Sequence, residues 1–201
     1  MSDRLAVLAS GRGSNLQAIL DAIRAGRLAA RVVLVLSDRS DAYALERARQ
    51  AGVPTAVVPR KGFDSRETHD AAIADRLEQA GVDWVVLAGY MRLLSAGFVA
   101  RFRDRIVNIH PALLPAFPGT HAQADAVAYG VKVSGCTVHL VDEGLDSGPI
   151  LAQRVVPVEP DDTEDSLAER ILREEHRLYP EVLGWLVAGR VQRLGRITRV
   201  A

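Results

Sequence analysis

Short apolar runs that alternate with segments of helical periodicity limit the possible folds of this chain more than any other feature. Five such runs, rich in Val, Ile and Leu, are typical of strands buried on both faces: residues 5–9, 32–36, 55–58, 84–88 and 106–110. Between them, apolar residues recur at the three- and four-residue spacing of amphipathic helices. This order predicts right-handed βαβ crossovers and an α/β fold, an open, mostly parallel twisted sheet with flanking helices.

The pattern changes after residue 110, where prolines mark a long irregular loop before a helix predicted at 121–129. Two antiparallel strands are predicted at 137–141 and 149–158. Helices are then predicted at 164–178 and 180–188, and an antiparallel ribbon at 191–200 closes the chain. The length of 201 residues suits a single domain, 1–201, with a nucleotide-binding-like half at 1–110 and a C-terminal half at 111–201.

Composition argues against several classes of protein. The 25 basic residues balance the 25 acidic ones, so net charge indicates neither a nucleic-acid nor a membrane partner. No apolar run approaches the roughly 18 residues of a membrane span, and no signal peptide is evident, so a cytoplasmic protein is expected. Cys136 is the single cysteine and excludes an internal disulfide. No His, Cys and carboxylate set has zinc-like spacing, so no metal is expected.

A glycine-rich segment, here called the glycine loop, follows the first predicted strand and consists of Gly11, Arg12, Gly13, Ser14 and Asn15. Glycines allow positive φ and close approach of a ligand, and the free N–H groups of the next helix attract anions. The loop is therefore a candidate phosphate site, with a plain tight turn as the alternative. Leu16 stands where the dinucleotide fingerprint has its third glycine, and the lysine of a triphosphate loop is missing, so a single phosphate fits better than NAD or ATP.

Asn108 and His110 interrupt the fifth apolar run. Strand side chains alternate between faces, so the two point the same way, and Pro111 ends the strand directly after them. Ligands of open α/β sheets bind at the carboxyl ends of strands. Because an imidazole can share a proton and an amide N–H can stabilise an oxyanion, the pair predicts a reacting centre. Asp146, in a glycine-flanked loop, is the candidate carboxylate that would orient the ring.

Each of these residues also has a purely structural interpretation. Asn108 could cap a turn, and Asp146 could hold its own loop through an Asx turn. His121 could cap a helix or face the pocket, and the remaining three histidines are interpreted as structural or solvated. His139 alternates with apolar neighbours on a strand, whereas His69 and His176 lie on charged helices and are expected to face solvent.

Taken together, five segments resemble the phosphoribosylglycinamide formyltransferase family of folate-dependent enzymes, in order and spacing: residues 11–15, 64–67, 87–94, 108–115 and 145–149. The most specific is Asn-Ile-His-Pro-Ala-Leu-Leu-Pro at 108–115, typical of folate-linked formyl transferases and hydrolases. The resemblance covers about residues 5–189 and implies a Rossmann-like formyltransferase fold. Among these folate-linked enzymes, the Gly-x-Gly-Ser-Asn pattern of the glycine loop is typical of the member that binds a ribose phosphate.

The resemblance implies attack of the glycinamide amine on the formyl carbon of 10-formyltetrahydrofolate, as a step of purine biosynthesis. It implies that Asn108 and a protonated His110 stabilise the oxyanion, while Asp146 favours the imidazolium and helps to pass the proton. The ribonucleotide would be held by the glycine loop and Glu175. The folate co-substrate would be held by residues of both halves, so that the C-terminal half completes its site: Arg66, Met91, Arg92, Leu93, Leu94, Asn108, Val141, Asp142, Glu143, Gly144 and Asp146.

Gly144 departs from the family pattern, which often has an acidic residue there, and this leaves the pterin-side contacts open. Other functions also remain open. A 10-formyltetrahydrofolate hydrolase shares the three catalytic residues but carries an extra N-terminal domain. A formyl transferase acting on initiator tRNA would want a C-terminal domain and a basic surface. The chain could also be an inactive folate- or nucleotide-binding module. A homodimer is left open.

Overall fold

The structure, a computed structural model, describes residues 2–201. The chain divides into two compact units, one up to Val107 and the other from Asn108 to Ala201. The prediction of a single domain with halves meeting at residue 110 is not decided by this division and stays a prediction.

The first unit contains four parallel strands with helices between them. Its strands are β1 (Asp3–Leu8), β2 (Ala30–Ser37), β3 (Thr55–Val57) and β4 (Trp84–Leu87). Its helices are α1 (Ser14–Arg24), α2 (Tyr43–Gln50), α3 (Arg66–Gln79) and α4 (Ala96–Arg101). β1 pairs in parallel with both β2 and β4, and β2 pairs in parallel with β3. Residues 5–8 of β1 are fully buried, as expected of a central strand covered on both faces.

The elements after α4 are β5 (Ile106–His110), α5 (Ala122–Tyr129), β6 (Val133–Leu140), β7 (Ile150–Pro157), α6 (Glu164–Val187), β8 (Val191–Leu194) and β9 (Ile197–Val200). β6 and β7 are antiparallel, and β8 and β9 form a separate antiparallel hairpin. The strand order β3-β2-β1-β4-β5-β6-β7 makes one seven-stranded, mostly parallel sheet. The predicted fold class and the C-terminal ribbon are thereby confirmed.

Two predicted helices, at 164–178 and 180–188, are in fact the single helix α6, and this prediction was wrong. Pro180 lies inside α6, where it removes one backbone donor and normally disfavours a helix. The buried stripe nevertheless continues past it, with Leu178, Val182 and Leu186 at helical spacing. Because α6 packs against β6 and β7, burial of this stripe outweighs the cost of the proline.

His69 is also misplaced by the sequence pattern. It was expected to face solvent, yet its side chain is fully buried on α3. Its Nε2 lies 2.8 Å from the carbonyl oxygen of Val58, and its Nδ1 lies 3.4 Å from Asp70. Asp70 in turn accepts the backbone N–H of Ser95 at 2.6 Å. His69 and Asp70 therefore have a structural role in the interior of the first unit.

Candidate active site

The end of β5 carries the predicted pair. Four of the five residues of β5 are buried, including His110, which is 4% exposed, whereas Asn108 is partly exposed. The loop after His110 is held by Thr137 of β6, whose hydroxyl donates to the carbonyl of Ala112 at 2.7 Å and accepts the N–H of Leu114 at 3.0 Å. The amide of Gln153 donates to the same hydroxyl at 2.9 Å. All three hydrogen-bonding positions of this buried hydroxyl are used, so the loop is firmly tied to the sheet.

The ring of His110 lies between two acceptors. Its Nε2 is 2.8 Å from the carbonyl oxygen of Phe117, and its Nδ1 is 3.5 Å from Oδ2 of Asp146. A neutral ring can donate on one side only, whereas an imidazolium donates on both. Each ring nitrogen of His110 therefore faces an oxygen atom, and the one facing Nδ1 belongs to a carboxylate.

Asp146 reaches the ring from the loop between β6 and β7. Its backbone is left-handed, with φ +49, a conformation that Asp and Asn tolerate better than most residues. Its Oδ2 also accepts the N–H of Gly119 at 2.8 Å, and its side chain is 13% exposed. The structure thus brings the carboxylate, the imidazole and the strand carrying Asn108 together.

His139 is the functional candidate that the sequence analysis missed. Its Nε2 lies 3.2 Å from the Nδ2 of Asn108 and 3.8 Å from Asp146, while its Nδ1 lies 2.9 Å from the carbonyl oxygen of Leu140. With Nδ1–H donating to that carbonyl, Nε2 accepts from the Asn108 amide. Burial lowers the pKa of His139, and the Asp146 carboxylate opposes this effect only in part. The lowered pKa and the acceptor role of Nε2 both favour the neutral ring.

A sequence signal for His139 does exist. Thr137 and His139 are polar residues two positions apart among the apolar residues at 136–141, the same pattern that singled out Asn108 and His110. Alternation places the members of each pair on one face.

The loop carrying Asp146 is internally tied. Oδ1 of Asp142 accepts the N–H of Gly144 at 3.1 Å and the hydroxyl of Ser147 at 2.6 Å. A Cβ at position 144 would lie 2.1 Å from the Ser147 oxygen, so the lack of a side chain at Gly144 leaves room for this hydroxyl. A Cβ on Gly148 would lie 1.8 Å from the carbonyl of Leu140. The glycines thus allow close contacts that larger residues would prevent.

In the first unit, the glycine loop leads from β1 to α1. Gly13 has φ +69 and is the N-cap residue, with no side-chain cap hydrogen bond. A Cβ there would lie 2.7 Å from Ala44, so this position needs glycine both for its conformation and for space. Arg12 is exposed, and Ser14 is partly exposed at the first position of the helix.

The remaining predicted binding residues differ in accessibility. Glu175 is buried on α6. Arg66 begins α3 and lies 3.6 Å from Glu67, and Arg92 lies 3.7 Å from Asp38. Met91 and Leu93 are exposed, but the side chain of Leu94 is buried, so position 94 can offer chiefly its backbone.

The site of the second unit offers acid–base and oxyanion chemistry. It combines an amide donor, an imidazole flanked by a carboxylate, and a second imidazole. Within the described part of the chain, His, Cys, Asp and Glu form no group of three able to hold a metal ion. Along residues 2–201, no helix has both the length and the apolar character needed to cross a membrane.

Comparison with known proteins places the chain in a class. The model of the formyl transferase family matches residues 3–183, and the chain belongs to this family. Within it, the chain is 44% identical to the phosphoribosylglycinamide formyltransferase of Escherichia coli, over 94% of this chain and 89% of that protein. It is 53% identical to the trifunctional purine biosynthetic protein adenosine-3 of Drosophila melanogaster, over 92% of this chain. The chain spans only 14% of that longer protein.

Similar solved structures agree with this family assignment. Glycinamide ribonucleotide transformylase 1 from Symbiobacterium toebii matches with a TM-score of 0.97 and 53% identity, covering 99% of this chain and 94% of that one. A formyltetrahydrofolate deformylase from Pseudomonas syringae matches with a TM-score of 0.93 but only 26% identity. The match covers all of this chain and 66% of the deformylase chain.

Proposed function

We propose that this chain transfers the formyl group of 10-formyltetrahydrofolate to the amine of 5′-phosphoribosylglycinamide. The products are formylglycinamide ribonucleotide and tetrahydrofolate, and the reaction is a step of purine biosynthesis in the cytoplasm. The observation that carries the proposal is the carboxylate of Asp146 beside the His110 ring, at the strand end that also bears Asn108. The similarity to the Escherichia coli enzyme, over nearly the full length of both proteins, supports it.

The reaction needs no covalent enzyme intermediate. The neutral amine attacks the formyl carbon, and negative charge develops on the formyl oxygen. The bond from this carbon to N10 of the folate then breaks, and the proton lost by the amine reaches N10. Holding two substrates in register supplies much of the rate enhancement.

Asn108 and His110 stabilise the oxyanion in this mechanism. One N–H of the Asn108 amide is directed to His139, which leaves the other for the substrate. Nε2 of His110 is bonded to the carbonyl of Phe117, so donation to an oxyanion requires this bond to be given up. Asp146 remains at Nδ1, where it favours the imidazolium and, through a water molecule, passes the proton.

Binding roles follow from the chemistry of each substrate. The glycine loop holds the phosphate of the ribonucleotide through backbone N–H groups at the start of α1. Glu175 holds the glycinamide end or the ribose. Residues 91–94 and the loop at 141–146 grip the pterin of the folate, and Arg66 lies near the co-substrate.

Hydrolysis of 10-formyltetrahydrofolate is the second candidate, favoured by the structural match to the deformylase. A single assay separates the two functions. The purified protein is incubated with 10-formyltetrahydrofolate, with and without 5′-phosphoribosylglycinamide, and tetrahydrofolate is measured. Release only in the presence of the ribonucleotide supports the transferase. Equal release without it identifies a hydrolase, and no release in either case would indicate an inactive binding module.

A further inference from the structure

Helix α2 holds two consecutive carbonyl groups of the glycine loop. The backbone N–H of Ala44 donates to the carbonyl oxygen of Gly11 at 3.0 Å. The Nε–H of Arg47 donates to the carbonyl oxygen of Arg12 at 2.8 Å. Both donors lie in the first unit, one turn apart on α2, and both act on the backbone rather than on a side chain.

These two bonds determine where the N–H groups of the loop point. In a planar trans peptide, the carbonyl and the following N–H point in opposite directions. Holding the carbonyls of Gly11 and Arg12 towards α2 therefore turns the N–H groups of Arg12 and Gly13 away from α2. The carbonyl of Gly13 accepts the N–H of Gln17, as the first turn of α1 requires. Consecutive backbone N–H groups presented in this way can bind an anion.

The guanidinium of Arg47 is itself fixed by further contacts. Its Nη1 donates to Oε1 of Gln17 at 3.1 Å, and its Cζ lies 5.0 Å from the ring centroid of Tyr43. The helix also approaches the loop closely, since Ala44 would contact any side chain placed at Gly13. An arginine suits this position because its planar group can donate in two directions at once.

We propose that Arg47 is a positioning residue for phosphate binding: it orients the Arg12–Gly13 peptide and adds a positive charge beside the glycine loop. The proposal rests on the proposed function, because the phosphate is that of the ribonucleotide substrate. It assigns to α2 a part in substrate binding that the sequence pattern of the loop does not reveal.

Arg49 provides a matched control. It lies on the same helix, is exposed, and pairs only with Glu46 among the contacts described, at 3.4 Å. Arg49→Ala removes the same charge from α2 without touching the loop. Arg47→Lys keeps the charge but loses the two-directional donor, which separates orientation of the peptide from the electrostatic effect.

Steady-state kinetics with each substrate varied in turn provide the first test. Arg47→Ala is expected to raise KM for the ribonucleotide by about tenfold, the usual cost of a lost hydrogen bond to a charged group. KM for the folate and kcat should stay within about twofold of the wild type, and Arg47→Lys should fall between. Equal effects in Arg47→Ala and Arg49→Ala, or similar changes in both KM values, would overturn the positioning role. So would an unchanged KM for the ribonucleotide.

A binding experiment that needs no catalysis keeps this inference distinct from the proposed function. Inorganic phosphate is titrated into ¹⁵N-labelled protein, and the amide signals of Gly13 and Ser14 are followed. We expect saturable shifts in the wild type and in Arg49→Ala, and about tenfold weaker binding in Arg47→Ala. Absence of shifts in the wild type, or equal affinity in Arg47→Ala, overturns the inference. A wild type that binds phosphate through Arg47 but transfers no formyl group would instead refute the proposed function alone.

Discussion

The hydroxyl of Ser147 occupies the space that a side chain at Gly144 would fill. A Cβ on Gly144 would lie 2.1 Å from the Ser147 oxygen, which donates to Asp142 at 2.6 Å. The two residues are therefore coupled across the loop that presents Asp146.

Gly144→Ala is expected to lower kcat by roughly tenfold, because the new methyl group displaces the Ser147 hydroxyl from Asp142 and loosens the loop. Ser147→Gly alone should have a smaller effect. In the double variant the methyl group no longer meets a hydroxyl, so its loss in kcat should be less than the sum of the two. Additive losses in the rate assay would show that the two positions are independent.

Removing either donor at the end of β5 should affect the chemical step. His110→Ala or Asn108→Ala is expected to lower kcat by about 100-fold or more, the usual cost of losing an oxyanion donor. Both KM values should change far less, and circular dichroism should show an intact fold. Near-normal turnover in either variant would remove that residue from the mechanism.

His139 should make stability dependent on pH. Its folded-state pKa lies below its ordinary value of 6.5 because of burial, so the unfolded chain binds a proton more readily than the folded chain. The stabilisation is complete at pH values above 6.5 and is lost as pH falls from there towards the lowered pKa. Urea unfolding from pH 8 to pH 5 should therefore show a steeper loss for the wild type than for His139→Asn. Parallel curves would contradict the assignment of a neutral His139.

Cys136 should be inert in the folded protein. Burial raises the pKa of this thiol to about 12, so almost no thiolate forms near neutral pH. A thiol-reactive disulfide reagent at pH 8 should label the native protein very slowly and the urea-unfolded protein stoichiometrically within minutes. Rapid labelling without urea would mean that the strand bearing Cys136 opens readily.

Gly13→Ala tests the glycine loop itself. The substitution places a Cβ 2.7 Å from Ala44 and occupies a left-handed conformation, with φ +69. We expect KM for the ribonucleotide to rise about 5- to 30-fold, the effect of about 1–2 kcal/mol of backbone strain, with KM for the folate unchanged. Adding Ala44→Gly should restore little of the loss, because the Cα of residue 44 lies as close to the new Cβ as the Ala44 side chain does and the backbone strain remains. A rise in KM for the folate instead would reverse the assignment of the two binding regions.

The sequence located the parts of this protein that depend on local periodicity. Alternation along β5 was enough to place Asn108 and His110 on one face, and the fold class followed from the spacing of the apolar runs. His139 was missed because its neighbour Asn108 is 31 positions away, and the pairing of strands brings them together. Pro180 led to the wrong prediction of two helices for a similar reason. The low helix preference of proline is local, whereas burial of α6 against the sheet, which outweighs it, depends on the fold.

The left-handed backbone of Asp146 determines which substitution can measure the contribution of its carboxylate. An alanine at this position would confound the loss of charge with a changed main-chain preference, whereas Asp146→Asn retains both the shape and the tolerance for positive φ. The isosteric exchange removes the charge while keeping the main-chain preference, and comparing the two variants would measure how much the turn itself contributes.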